Sequence, residues 1–157
     1  MILNDFIVWA EQNGWQIEQS SEPAELPEVI ADRYPAPAVW QEFIAPLRKC
    51  SNATDTVWFL TYPDYQQQEQ GFQWNEFEKQ SMEAAGGDHE QQAAVTAFWN
   101  YHLPIVLNVA GDYTYYAIDT QFGSVVCGTA PEYEEPHVVA ENFPAFIRKI
   151  ISGEITL

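Results

Sequence analysis

Basic residues are scarce in this sequence. Six lysines and arginines stand against 23 aspartates and glutamates in 157 residues, a formal net charge of −17. A field of that sign repels phosphate backbones and argues against direct nucleic-acid binding; it disfavours anionic membrane surfaces for the same reason. Cysteine is scarce as well. Cys50 and Cys127 are a pair by count only, and their flanks do not suggest a disulfide scaffold, so two buried or half-buried thiols are expected. No apolar run is long enough to span a membrane. The stretch MILNDFIVWAEQNGW has no basic segment and meets Asp5 early, which does not fit a secretory signal and makes the cytoplasm the expected location.

Patterns for chemistry are also missing. His89, His102 and His137 have no close partners at ligand spacing; Asp88 and Glu90 flank His89, but adjacent side chains on a helix diverge. There is no calcium-loop pattern and no glycine-rich phosphate cradle. Ser81 and Ser124 lack a nucleophile-elbow context. Cys127 could be paired on paper with His102 or His137, but it lies on an apolar strand, where an inert packed thiol is much commoner. Asp112 and Asp119 stand about 20 Å apart along an extended chain, too far for two cooperating carboxylates. Asp112 is expected to stabilise its turn by accepting backbone N–H bonds, and Asp119 to be a strand-end turn residue or part of a binding rim. No catalytic, metal or cofactor residue is assigned, and the chain is not expected to be an enzyme.

What the chain does have is apolar and aromatic residues, 46% and 15% of the total, enough for a substantial core in one domain over 1–157. Leu3, Phe6, Ile7 and Ala10 make a short helical stripe ended by Gly14. A short helix is predicted over 27–33, starting at Pro27 and stopping before Pro35. Trp40, Phe43, Ile44 and Leu47 form a clearer stripe that Pro46 bends or ends. SNATDT then reads as a loop and VWFLTY, 57–62, as a buried strand. A helix is predicted over 73–84 with Trp74, Phe77 and Met82 inward. Asp88 then caps another helix, whose Ala94, Ala97 and Phe98 face the core. LPIVLNVA (103–110), YTYYAID (113–119) and SVVCG (124–128) read as a meander. On the middle strand Tyr113, Tyr115, Ala117 and Asp119 share one side, and Thr114, Tyr116 and Ile118 the other; bulk on both sides predicts partial cover on both. A final helix is capped by Asn142, has Pro144 in its first turn, places Phe143, Phe146, Ile147, Ile150 and Ile151 toward the core, and stops at Gly153. The sum is an α+β domain: N-terminal helices, a central, largely antiparallel sheet and a packed C-terminal helix.

These segments resemble the SMI1/KNR4 family of the SUKH superfamily. The resemblance is carried by LPI at 103–105, GDYTYYAID at 111–119, Gly123 with Val-Val after it, PEYEE at 131–135, and the ending FPAFIRKIISGEI with its Phe143 and Phe146. Leu26-Pro27, Tyr34 and the 39–47 stripe are similar to the family's helix entry. The chain departs from the pattern at 50–52, where CSN stands in place of the usual Asn-Gly-Gly, and nothing is carried over to the 50–56 loop. The resemblance implies an α+β fold without established catalysis. It also implies a role like that of bacterial members, immunity proteins that bind and neutralise toxins, many of them nucleases or other nucleic-acid-directed enzymes. Fungal relatives are linked to regulation of cell-wall synthesis. A regulatory or scaffold interaction module is the alternative, and a small hydrolase a distant third.

Two acidic-aromatic loops are the candidate partner-binding residues. PDYQQQEQGFQW, 63–74, sets Tyr65, Phe72 and Trp74 among polar residues; PEYEEPH, 131–137, sets Tyr133 among Glu132, Glu134 and Glu135. Aromatic anchors ringed by acids suit the surface of a basic protein such as a cognate toxin domain. For both loops the competing reading is rings packed beneath the loop and glutamates as ordinary solvated surface.

Overall fold

The computed structural model describes residues 2–66 and 71–157. Seven strands form one sheet in which each strand pairs antiparallel with the next in the chain. In chain order the elements are α1 (Ile2–Gln12), β1 (Gln16–Gln19), α2 (Glu28–Ala31), α3 (Ala38–Ile44), β2 (Leu47–Ser51), β3 (Val57–Phe59), a 3-10 turn (Tyr62–Tyr65), α4 (Glu76–Ala85), α5 (His89–Tyr101), β4 (His102–Asn108), β5 (Thr114–Asp119), β6 (Val125–Thr129), β7 (His137–Ala140) and α6 (Phe143–Ser152). The class is α+β, with the expected C-terminal helix.

Sheet register sorts the core into two faces. Trp58, Leu107, Tyr115 and Gly128 lie side by side across β3 to β6, so they share one face; Phe59, Val106, Tyr116 and Cys127 share the opposite one. On the Phe59 face the rings of α1, α3 and α6 interlock. Phe6 lies 5.2 Å from Phe43 and 5.0 Å from Phe59, Phe43 lies 5.0 Å from Phe143, and Tyr116 lies 5.2 Å from Phe146. On the Trp58 face α4 and α5 lie over Tyr115, whose ring is 4.9 Å from Trp99 and 5.9 Å from Phe77. Thr114–Asp119 is thus covered on both sides, as its two-sided bulk predicts.

Local rules set the helix ends. Asn142 Oδ1 accepts from Ala145 N–H, Pro144 sits in the first turn of α6, and Gly153 takes the left-handed conformation that closes it. Asp88 Oδ1 accepts from Gln91 N–H at the start of α5. The apolar face of α5 is shifted from the predicted one: Val95 and Trp99 are buried, Phe98 is half-buried, and Ala94 and Ala97 face water. The indole buries far more area than two methyl groups, so it decides which side turns inward. α4 begins only at Glu76, leaving Trp74 ahead of the helix, although its ring is buried as expected.

Three strands went unpredicted. β2 begins at Leu47, the last residue of the expected helical stripe, and ends where the loop was expected; β1 and β7 fall in segments given no secondary structure. β1 and β7 are the sheet's edges, and both are irregular: pairing is offset between Glu18 and Gln19 in β1 and opposite Val125/Val126 in β7. Lys149 Nζ donates to Val139 O at 3.0 Å, closing off part of the β7 edge. Short, bulged and charged edges resist pairing with further strands.

Candidate partner-binding surface

Placement of the sequence-nominated rings is the first finding. Tyr133 is not an exposed anchor. Its ring stacks on Phe77 at 4.6 Å with planes 7° apart, its hydroxyl donates to Gln80 Oε1 at 3.0 Å, and the residue is 4% exposed. Tyr65 is buried, and its hydroxyl donates to Pro104 O at 2.6 Å. Trp74 is buried between Tyr34 and Tyr65. Phe72 alone stays half-buried, edge-on to Trp58, Phe77 and Tyr113. The polar part of that loop, Gln67 to Gln70, lies outside the described residues. Among the described residues both loops are therefore pinned by their aromatics, with Tyr65, Trp74 and Tyr133 buried.

The acids of 131–137 divide into two kinds. Glu132 and Glu135 are exposed. Glu134 is half-buried, and its Oε2 accepts from Ser81 Oγ at 2.8 Å and from Trp99 Nε1 at 2.9 Å. It satisfies an indole N–H that burial would otherwise leave without a partner. Glu134 lies with Gln80, Ala84, Pro131 and Tyr133 along a cleft of about 480 Å³ between α4 and this loop. Sequence reasoning grouped the three glutamates; the fold gives Glu134 a structural role and leaves Glu132 and Glu135 on the rim.

Asp119 terminates β5, as expected. Its Oδ1 accepts from Gln121 N–H at 2.9 Å and Phe122 N–H at 3.3 Å, and its Oδ2 lies 3.9 Å from His102 Nε2. The turn bond expected of Asp112 is made instead by Asn108, whose Oδ1 accepts from Ala110 N–H at 2.8 Å. Cys50 and Cys127 are free and buried, and burial pushes both thiols up from their ordinary value. Among the described residues no three His, Cys, Asp or Glu side chains converge as a metal site, and no helix is long and apolar enough to cross a membrane.

A second surface was missed in the sequence. α4 and α5 cover only the β4 to β6 part of the Trp58 face. Among the described residues the same face over β1 to β3 is open as a groove of about 420 Å³, bordered by Glu18, Ser51, Asp55, Trp58, Asp64 and Phe72. Four separate segments contribute, so no local motif announces it. Asp64 caps the 3-10 turn, its Oδ2 accepting from Thr61 N–H at 2.8 Å and Thr61 Oγ1 at 2.9 Å. Its carboxyl is pushed up from the ordinary value chiefly by burial, with the like charge of Asp55 adding to it and the Thr61 hydrogen bonds opposing.

The distribution of cations completes the surface. Arg33 makes a fork on Glu78 with two 2.8 Å bonds. Arg48 donates to the carbonyls of Ala45, Leu47 and Glu22. Lys49 reaches Gln16 Oε1 and Lys149 reaches Val139 O. Among the described residues only Glu78 and Asp119 lie within ion-pair distance of a basic side chain. No protein-family model, curated protein or solved structure matches the chain.

Proposed function

We propose that this chain is a non-enzymatic protein-binding domain of the SMI1/KNR4 kind, an immunity protein that acts in the cytoplasm and neutralises a basic toxin, with a nuclease as the class its charge suits best. The observation that carries the reading is the electrostatic one. The scarce cations are largely turned onto the fold's own carbonyls and side chains, and nearly all the described carboxylates have no cationic partner. Such a surface steers a basic protein toward it and mimics the charge of the nucleic acid that a nuclease recognises. The resemblance carried by residues 103–157 supports the same reading.

The test is co-expression with any basic toxin domain that the neighbouring genes are found to encode. Growth should be restored by the wild-type chain, and the two proteins should co-purify as a complex. Co-purification without protection would replace immunity with a scaffold or regulatory role. Neither binding nor protection would end the toxin reading.

A further inference from the structure

We propose that the open groove over β1 to β3 is a socket for the guanidinium of an arginine side chain presented by the basic partner. The inference rests on the reading above that the partner is basic. Three observations converge on this occupant. The groove carries carboxylates on several sides, from Glu18 on β1, Asp55 in the β2–β3 turn and Asp64 in the 3-10 turn. The Asp64 carboxyl is pushed up chiefly by burial, with the like charge of Asp55 adding to it. Two cations also border the groove, and both are engaged elsewhere: Lys49 lies on Gln16 Oε1 rather than on any of these carboxylates, and the Arg48 guanidinium is held by the carbonyls of Ala45 and Glu22. A cation entering the groove would relieve a repulsion that the fold itself leaves standing.

The second observation is the aromatic wall. Trp58 is half-buried and meets Phe72 edge-on at 5.9 Å. Tryptophan is the strongest aromatic partner for a cation, and a planar guanidinium can stack on it while forking onto a carboxylate; an ammonium cannot do both. The third is Ser51. It sits opposite Trp58 in the β2–β3 pairing, hence on the same face, is 2% exposed, and its hydroxyl has no hydrogen-bond partner among the described residues. Buried hydroxyls are normally satisfied. A donor reaching past Trp58, with a small rotation of the Ser51 side chain, would satisfy this one.

The experiment is a titration of the isotope-labelled full chain with N-acetyl-arginine amide, followed by nuclear magnetic resonance, with N-acetyl-citrulline amide as the neutral isostere. Saturable shifts are expected at the Trp58 indole N–H and the Ser51 amide with arginine, and none with citrulline. Asp55→Asn should weaken binding at least about fivefold. Asp55 has a backbone φ of 59°, a conformation asparagine adopts as readily, so this variant keeps the turn. Glu11→Gln with Glu90→Gln, exposed residues away from the groove whose loss lowers overall charge by the same kind of change, should leave the affinity unchanged. Equal shifts with citrulline, shifts spread over the acidic surface without saturation, or equal weakening by the two sets of variants would overturn the socket. If the socket fails while protection against the toxin holds, only this inference falls. Saturable arginine binding without a protective partner would leave the socket standing and remove the toxin.

Discussion

The ring of Tyr115 lies directly over Gly128 on the neighbouring strand: a β-carbon placed at Gly128 would stand 2.5 Å from Tyr115 Cε1. The two residues are paired across β5 and β6, and the absent side chain is what lets the ring lie flat toward the 131–135 loop. There the Tyr115 hydroxyl donates to Tyr133 O, tying sheet to loop. The ring has little room to retreat, with Trp99 and Phe77 on its other sides. Gly128→Ala should therefore cost at the upper end of the roughly 1–3 kcal/mol typical of overpacked cores. A urea melt coincident with wild type would show that the ring moves aside freely.

Tyr133 supports the loop from above. Tyr133→Ala removes a ring stacked on Phe77 and should cost about 3–5 kcal/mol, as for other large buried aromatics. Tyr133→Phe keeps the stack and loses only the bond to Gln80, and should cost about 1 kcal/mol. Thermal melts of both variants separate the ring from the hydroxyl. Equal losses would mean that stacking contributes little.

Legibility followed local signal. The cap and stop of α6 were readable because Asn142, Pro144 and Gly153 act within a turn of their own positions. The two faces of β5 were readable because strand alternation is fixed by geometry. β1, with one half-buried and three exposed residues, offers no apolar alternation to read. α5 was read in the wrong register because alanines fit either side of a helix and the choice is made by Trp99 against Tyr115. Tyr133 among glutamates looked exposed because its stacking partner, Phe77, lies far away in the chain. The groove was invisible for the same reason: Ser51, Trp58 and Asp64 are ordinary residues until the sheet and the 3-10 turn bring them together.

Asp64 should give stability a measurable pH dependence. Its folded-state pKa is raised, so the folded chain holds this proton more tightly than the unfolded chain. The associated stability is fully present below the unfolded value, near 3.8, and is lost as pH rises through the raised folded value. Asp64→Asn keeps an oxygen to accept from Thr61 and removes the titration. Relative to wild type, the variant should gain stability between pH 3.5 and pH 7. Denaturant melts across about pH 3–7 measure the difference; a constant offset between the two proteins would mean that the Thr61 bonds cancel the burial.

The glutamates of 131–135 separate binding from folding. Glu132 and Glu135 are exposed, so Glu132→Gln with Glu135→Gln should leave the melting curve within about 0.5 kcal/mol of wild type. Glu134→Ala strands Trp99 Nε1 and Ser81 Oγ, and should cost roughly 1–3 kcal/mol for unsatisfied buried groups. The same pair of rim substitutions should slow association with a basic partner by removing steering charge, and raising salt should slow the wild-type chain further, because screening shortens the reach of the field to about 10 Å at 0.1 M. Stopped-flow association rates at several salt concentrations, with circular dichroism as the folding control, read both effects. If the rate for the wild-type chain stays flat with salt and the rim variants associate as fast as wild type, the acidic surface does not guide the encounter. The partner would then be recognised by shape alone.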